Sequence, residues 1–205
     1  MRPAPRWHKS IDRLGVPPGY AAALAPLAPH IAALARGRRL RVLDCGIGTG
    51  QFSAAIAAQS LVPIKVTGTD VSPAILAAAR ERLSVMDCTL DGHVVDGHPL
   101  PFDAGQFDVV LSAHRLEHMR APGAALLQMH RVLRPGGMVI VALTRRSLAS
   151  VPLQLMWRVR TFTPARASAL LTASGFCGRH VLPPAGPALF QRLTLFAVGR
   201  KSLQF

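Results

Sequence analysis

The stretch "RVLDCGIGTGQF", residues 41–52, decides how the chain is read. It lies across the end of a short apolar run, "LRVLDC" (40–45), bounded by turn residues, which is the pattern of a buried strand. The run ends on an acid, Asp44. Three glycines then alternate, Gly46, Gly48 and Gly50, and lead into "GQFSAAIAAQS" (50–60), where Phe52, Ile56 and Gln59 recur at helical spacing. A strand that turns through glycines into a helix sets the helix's free backbone N–H groups at the strand's carboxyl end. Asp70 closes the next strand, "IKVTGTD" (64–70), 20 residues after Gly50. An acid at that place accepts hydrogen bonds from ribose hydroxyls, so the loop is expected to hold a ribonucleoside.

The pyrophosphate of a dinucleotide such as NAD is served by G-x-G-x-x-G, which would need glycine at 51. The chain has Gln51, and its pattern is G-x-G-x-G with Asp44 in front.

Working outward, residues 1–20 read as an irregular lead rich in proline and glycine. Residues 21–36 read as one or two short helices broken near Pro26 and Pro29. "SPAILAAARERL" (72–83) begins with a serine N-cap and a proline at the first helical position. A strand is expected within 88–96 and another at "FDVVLSA" (107–113). "PGAALLQMHRVLRPGG" (122–137) reads as a helix that ends at Arg134-Pro135, with Gly136 and Gly137 as stop signals. "MVIVAL" (138–143) is a buried strand and "TPARASALLTASGF" (163–176) a capped helix. "GRHVLPP" and "FQRLTLFAVGR" close the chain as two strands, the last a hairpin return. Strand and helix alternate, so the fold class is α/β: a three-layer sandwich with a mostly parallel seven-stranded sheet, helices on both faces and an antiparallel last strand. With no repeat and no linker, the 205 residues read as one domain. Within it, 1–39 is an N-terminal helical lid, 40–143 the cofactor-binding core, and 144–205 a short insert, the last helix and the closing strands.

The net charge of +14 invites nucleic acid or an anionic membrane. All but three of the 24 cations are arginine, however, in a chain also rich in Ala, Pro and Gly, as a GC-biased coding sequence gives. The arginines fall in short groups without aromatic interleaving. A nucleic-acid partner is therefore not favoured, while peripheral contact with a membrane stays open. Cys45, Cys88 and Cys177 match no zinc or disulfide framework and fit a reducing cytoplasm. "AAALAPLAPHIAALAR" (21–36) has the apolar character of a signal segment, but Pro26, Pro29 and His30 interrupt it. No apolar run reaches the ~18 residues of a spanning helix. No metal-binding pattern is present.

"VLDCGIGTG" (42–50) resembles motif I of the class I S-adenosylmethionine-dependent methyltransferases, in which the acid stands just before the glycines. "GTDVSPAIL" (68–76) is similar to that family's second motif. "VVDGHPLPFDAGQFDVVLSAHRLEHM" (94–119) resembles its third and fourth segments, and "RVLRPGGMVIV" (131–141) the helix-turn-strand before strand five. The resemblance covers about half the chain, in register, and is nearest to the small-molecule branch that includes the quinone-biosynthesis enzymes. It implies S-adenosyl-L-methionine as methyl donor, with S-adenosyl-L-homocysteine as product. The implied cofactor residues are Asp44, Gly46, Gly48, Gly50, Asp70 on the ribose, Val71, Asp96 on the adenine amino group, Gly97 beside the ring, and Ser112. His98 would also lie by the ring. An acid and carbonyl oxygens suit the ammonium and sulfonium of that donor better than they suit a pyrophosphate.

Methyl transfer is an in-line displacement that mostly needs positioning and exclusion of water. A base is needed only where the acceptor must lose a proton. The candidates follow strand four in "SAHRLEHM": His114, Glu117 and His118, with His114 and His118 as the catalytic pair proposed from sequence. Imidazole titrates near neutral pH. His8, His30 and Tyr20 are lid candidates over the substrate. Met156, Trp157, Arg158 and Arg160 lie in the insert that shapes the acceptor pocket in related enzymes. The reading is methyl transfer to a small-molecule acceptor. Competing readings are a non-catalytic methyltransferase-like subunit or scaffold, or an enzyme acting on RNA or on a lipid headgroup. RNA is disfavoured because "SAHR" stands where an "NPPY"-like motif would follow strand four, and no appended RNA-binding domain is visible.

Overall fold

The structure, a computed structural model, describes residues 16–86, 88–96 and 99–203. Helix α1 (Val16–Leu24), a 3₁₀ turn (Ala25–Leu27) and α2 (Ala28–Ala33) lead into β1 (Leu40–Cys45). Then come α3 (Gln51–Gln59), β2 (Ile64–Asp70), α4 (Pro73–Ser84), β3 (Leu90–Val94) and β4 (Phe107–Ala113). After a 3₁₀ turn (Leu116–His118) the chain forms α5 (Pro122–Val132), β5 (Leu133–Thr144), α6 (Val151–Trp157), α7 (Pro164–Ala173), β6 (Cys177–Val181), α8 (Ala188–Leu193) and β7 (Thr194–Arg200).

The seven strands form one sheet in the order β3-β2-β1-β4-β5-β7-β6. β1 to β5 run parallel, and β7 enters antiparallel between β5 and β6. The order reverses beside β1, so a crevice opens between the carboxyl ends of β1 and β4. Successive strand residues point to opposite faces. Val42, Val66, Val109, Leu111 and Ile140 pack into one core under α1 to α4 and α8. Leu43, Val110, Val139 and Val141 pack into the other, under α5 and α7. Two apolar layers on a sheet buried from both sides are what near-continuous Val/Ile/Leu strands require.

The expected fold class is the observed one, and several boundaries move. The helix at 122 stops at Val132, because Leu133 is already extended (ψ 137°) and Pro135 disfavours helix at Arg134. "RPGG" is therefore no helix tail. Phe107 pairs with Leu133 and Val109 with Met138, so residues 134–137 bulge out of β5 opposite Asp108. Through that bulge the Arg134 guanidinium reaches Asp108, which is fully buried and also takes two hydrogen bonds from Arg38 (2.7 and 2.9 Å) and one from the Arg41 backbone N–H (2.8 Å). The "FQR" of 190–192, expected in the last strand, lies in α8, and β7 starts at Thr194. The lead expected to be irregular through residue 20 is helical from Val16, with Pro17 and Pro18 in the first turn, where a missing N–H costs nothing.

Candidate active site

The glycine loop leaves β1 at the crevice, and Gly48 and Gly50 serve it differently. At Gly48 (φ +55°) an added Cβ would meet nothing within 4 Å, so the backbone there borders open space. At Gly50 (φ +78°) it would meet the Ala79 Cβ at 3.3 Å, so the third glycine serves the close packing of α3 on α4. That space is a cavity of about 310 Å³ lined by the loop from Gly46 to Thr49, Asp70, Ile75, Arg115, His118 and Tyr20, among others. Asp70 ends β2 with 9% exposure. Its Oδ2 accepts from the Gly48 N–H (3.2 Å) and its Oδ1 from the Ser72 N–H (3.1 Å), which ties the loop to the start of α4.

Asp44 lies behind the loop. Its Oδ2 accepts from Ser53 Oγ at 2.7 Å, while its buried Oδ1 has no hydrogen-bond partner. Burial pushes its pKa up to about 6; Ser53 opposes the rise, the Asp70 charge adds to it, and the Arg115 charge opposes it. An unmatched, poorly solvated carboxylate beside a cavity favours a cation there. Asp44, the open approach at Gly48 and the carboxylate of Asp70 together fit a cationic nucleoside such as S-adenosylmethionine.

Asp96 and Val71 are exposed at the carboxyl edge beyond β3 and β2, outside the cavity lining. The Val95 N–H donates to the Asp70 carbonyl (3.0 Å), which holds the two strand ends side by side. Gly97 and His98 lie outside the described residues, as does His8. Ser112 is buried away from the cavity, its Oγ donating to the Cys45 carbonyl at 3.2 Å. His30 is exposed on α2 and lines neither cavity.

His114 follows β4 in left-handed backbone (φ +52°), a conformation that costs a non-glycine residue energy and that recurs at functional sites. Its Nδ1 lies 3.2 Å from Glu117 Oε1. Glu117 is nearly fully buried. Thr144, at the end of β5, donates its Oγ1–H to Oε1 (2.6 Å) and its backbone N–H to Oε2 (2.8 Å). Burial alone would raise the Glu117 pKa, but His114 and the Thr144 hydrogen bonds outweigh it and hold the carboxyl below its usual range. An ionised carboxylate only accepts, so the Nδ1–H is the donor in this pair and Nε2 is the ring nitrogen left to face a substrate. Glu117 was a sequence candidate. Thr144 was not, because it stands 27 residues away and only the sheet brings it alongside.

A second, mostly apolar cavity of about 60 Å³ adjoins the first. Val16, Leu153, Trp157, Val159, Phe190 and Leu193 supply its walls, and Glu117 and Thr144 its polar end. Tyr20 and His114 line both cavities. The Tyr20 ring is buried against Phe52 (4.7 Å between centroids), Phe190 (5.8 Å) and Phe196 (6.0 Å). Among the described residues, no group of His, Cys, Asp and Glu is placed to hold a metal ion.

Residues 43–141 match a family described as "Methyltransferase domain". The chain is 37% identical over 101 residues to a Ubiquinone/menaquinone biosynthesis C-methyltransferase of Burkholderia vietnamiensis, covering 49% of this chain and 42% of that protein. It thus spans less than half the length of the curated relatives it matches. In structure it is similar to the putative methyltransferase solved in complex with the Haloferax volcanii Trm112 methyltransferase activator, at TM-score 0.69 and 21% identity over 97% of this chain and 96% of that one. It is also similar to a trans-methyltransferase, CalH, solved with S-adenosylhomocysteine, at TM-score 0.70 and 20% identity over 88% of this chain and 56% of that one. The chain has the Rossmann-like fold of these solved methyltransferases, and the matched span, residues 43–141, runs from within β1 to within β5.

Proposed function

We propose that the chain transfers a methyl group from S-adenosylmethionine to an apolar small-molecule acceptor that gives up a proton. The observation that carries this reading is the meeting of two cavities at Tyr20 and His114, one walled by the glycine loop and Asp70, the other by apolar side chains. When bound, the donor supplies an electrophilic methyl on a cationic sulfur. Asp70 takes the ribose hydroxyls, Asp96 the adenine amino group, and Asp44 opposes the donor's positive charge. Leu153, Trp157, Phe190 and Leu193 hold the acceptor out of water, which favours an in-line displacement. His114 accepts the acceptor's proton at Nε2, and Glu117 holds the ring by Nδ1 and faces the imidazolium that forms.

The relative named for ubiquinone and menaquinone biosynthesis supports an apolar ring as acceptor, in keeping with the walls of the second cavity. Residues 16–39 act as the cover, with Tyr20 as the contact. His118, exposed at the mouth of the larger cavity, is a secondary candidate for substrate contact. Three free cysteines fit a cytoplasmic protein. No described helix is long and apolar enough to cross a membrane.

The test is a screen of apolar phenols, hydroquinones and enols with a methyl-labelled donor. Label should enter a compound of this class. Label in none of them, with donor binding intact, would contradict the acceptor assignment.

A further inference from the structure

The segment 144–205 carries eight arginines and Lys201, and no acidic residue at all. Its insert also leaves several large apolar side chains bare: Leu148 is 92% exposed, Leu155 79% and Met156 67%. Helix α6 has no buried residue. Leu153 and Trp157, one turn apart, wall the smaller cavity, while Val151, Pro152, Leu155 and Met156 spread over the opposite arc. Leu189 of α8 continues the bare surface, and the Ser147 Oγ donates to the Arg192 carbonyl (2.7 Å), which ties α8 to the insert. Arg146, Arg158, Arg160 and Arg192 are exposed around it.

Scattered single apolar residues need no explanation, but a contiguous bare patch does. Charge complementarity selects the occupant. Leucine and methionine without aromatic platforms are poor at stacking on bases, so the arginines alone would have to hold a nucleic acid. An apolar arc rimmed by arginine, on a segment with no negative charge, fits the boundary between headgroups and acyl chains of an anionic bilayer.

We propose that α6 and the turn before it dock this protein on anionic membrane surface, with Leu148, Leu155 and Met156 entering the acyl boundary and the surrounding arginines on the headgroups. The same helix that faces the bilayer walls the smaller cavity with its other side. An apolar molecule then has a short path from membrane to pocket. The docking does not depend on the methyl-transfer reading.

The experiment is co-sedimentation of the full chain with phosphatidylglycerol-rich vesicles and with pure phosphatidylcholine vesicles. The chain should pellet with the first and stay largely in solution with the second. Leu155→Asp/Met156→Asp should weaken partition about tenfold or more, and Arg146→Glu/Arg192→Glu should do the same by reversing two charges. None of these four side chains lines either cavity or lies in the buried core, so the melting temperature should stay close to the parent's and report that the variants are folded. No partition onto anionic vesicles would overturn the proposal. So would partition that the Leu155/Met156 variant leaves intact, which would make the attraction one of charge alone. A parent that ignores vesicles but self-associates, and is made monomeric by the Leu155/Met156 variant, would assign the face to a second copy instead.

Discussion

At the scale of single residues, two carboxylates in one crevice are pushed in opposite directions. Asp44 is raised to about 6 and Glu117 is held down. The difference follows from partners, since Glu117 is held by His114 and by two hydrogen bonds from Thr144, while Asp44 is held by Ser53 alone and leaves Oδ1 bare. A folded carboxyl raised above its unfolded value costs stability when it ionises, so the cost appears as pH rises through the window from 3.8 to about 6. Asp44→Asn should therefore leave the ligand-free melting temperature at pH 7 unchanged or higher, while S-adenosylhomocysteine affinity falls. In the parent, affinity should decline as pH drops below about 6 and Asp44 takes up its proton. A flat calorimetric profile from pH 7.5 to 5 would refute that role. His114→Ala should lower kcat on the order of a hundredfold with donor affinity retained. Glu117→Gln should lower kcat with KM little changed, the split expected of a residue that positions the base. If both parameters moved together, Glu117 would be only a structural buttress. The sequence showed Asp44, Asp70 and the glycines because their spacing is local. That Gly50 packs on Ala79 and that the Ser112 hydroxyl turns to the Cys45 carbonyl were not legible, because which way a turn or strand residue faces depends on what packs behind it.

At the scale of elements, α1 was the least legible piece. Its prolines and glycine read as irregular, yet it supplies Tyr20 to both cavities. The helix can lie there because Gly19 has no side chain: an added Cβ would stand 2.3 Å from the Phe190 ring. Gly19→Ala should force Phe190 or α1 aside at a cost of about 1–3 kcal/mol, read as a lower midpoint of urea unfolding. It should also impair turnover more than donor binding, because Phe190 walls the smaller cavity alone. An unchanged midpoint would mean that α1 is not seated as described. The strands were legible to within a residue at β1, β2 and β4, where apolar runs end at turn residues. The "RPGG" bulge and α8 were not, since a bulge is defined by its partner strand and a short helix leaves little periodicity to read.

At the scale of the whole molecule, the crevice at the carboxyl ends of the strands is matched by a clamp near the opposite edge. Asp108 joins the start of β4 to Arg38 and Arg41 at β1 and to Arg134 in β5. Burial alone would raise its pKa, but the arginines and the Arg41 N–H hold it below the ordinary carboxylate range. Its contribution to stability is thus complete above that range and is lost as pH falls through the lowered value. Asp108→Asn should cost about 1–3 kcal/mol, mostly by unpairing the buried Arg134 guanidinium, since Arg38 and Arg41 are 42% and 41% exposed, with a fall in melting temperature at pH 7. A loss under about 1 kcal/mol would show that water already screens the cluster. The sequence showed these arginines as scattered charge; the fold gathers three separate positions onto one carboxylate.

The account rests on the larger cavity as the seat of a cationic nucleoside donor. Isothermal titration of the full chain and of Asp70→Ala with S-adenosylhomocysteine tests that most directly. The account predicts one site of micromolar affinity in the parent and a markedly weaker one in the variant. No heat in the parent, or equal affinity in both proteins, would contradict it.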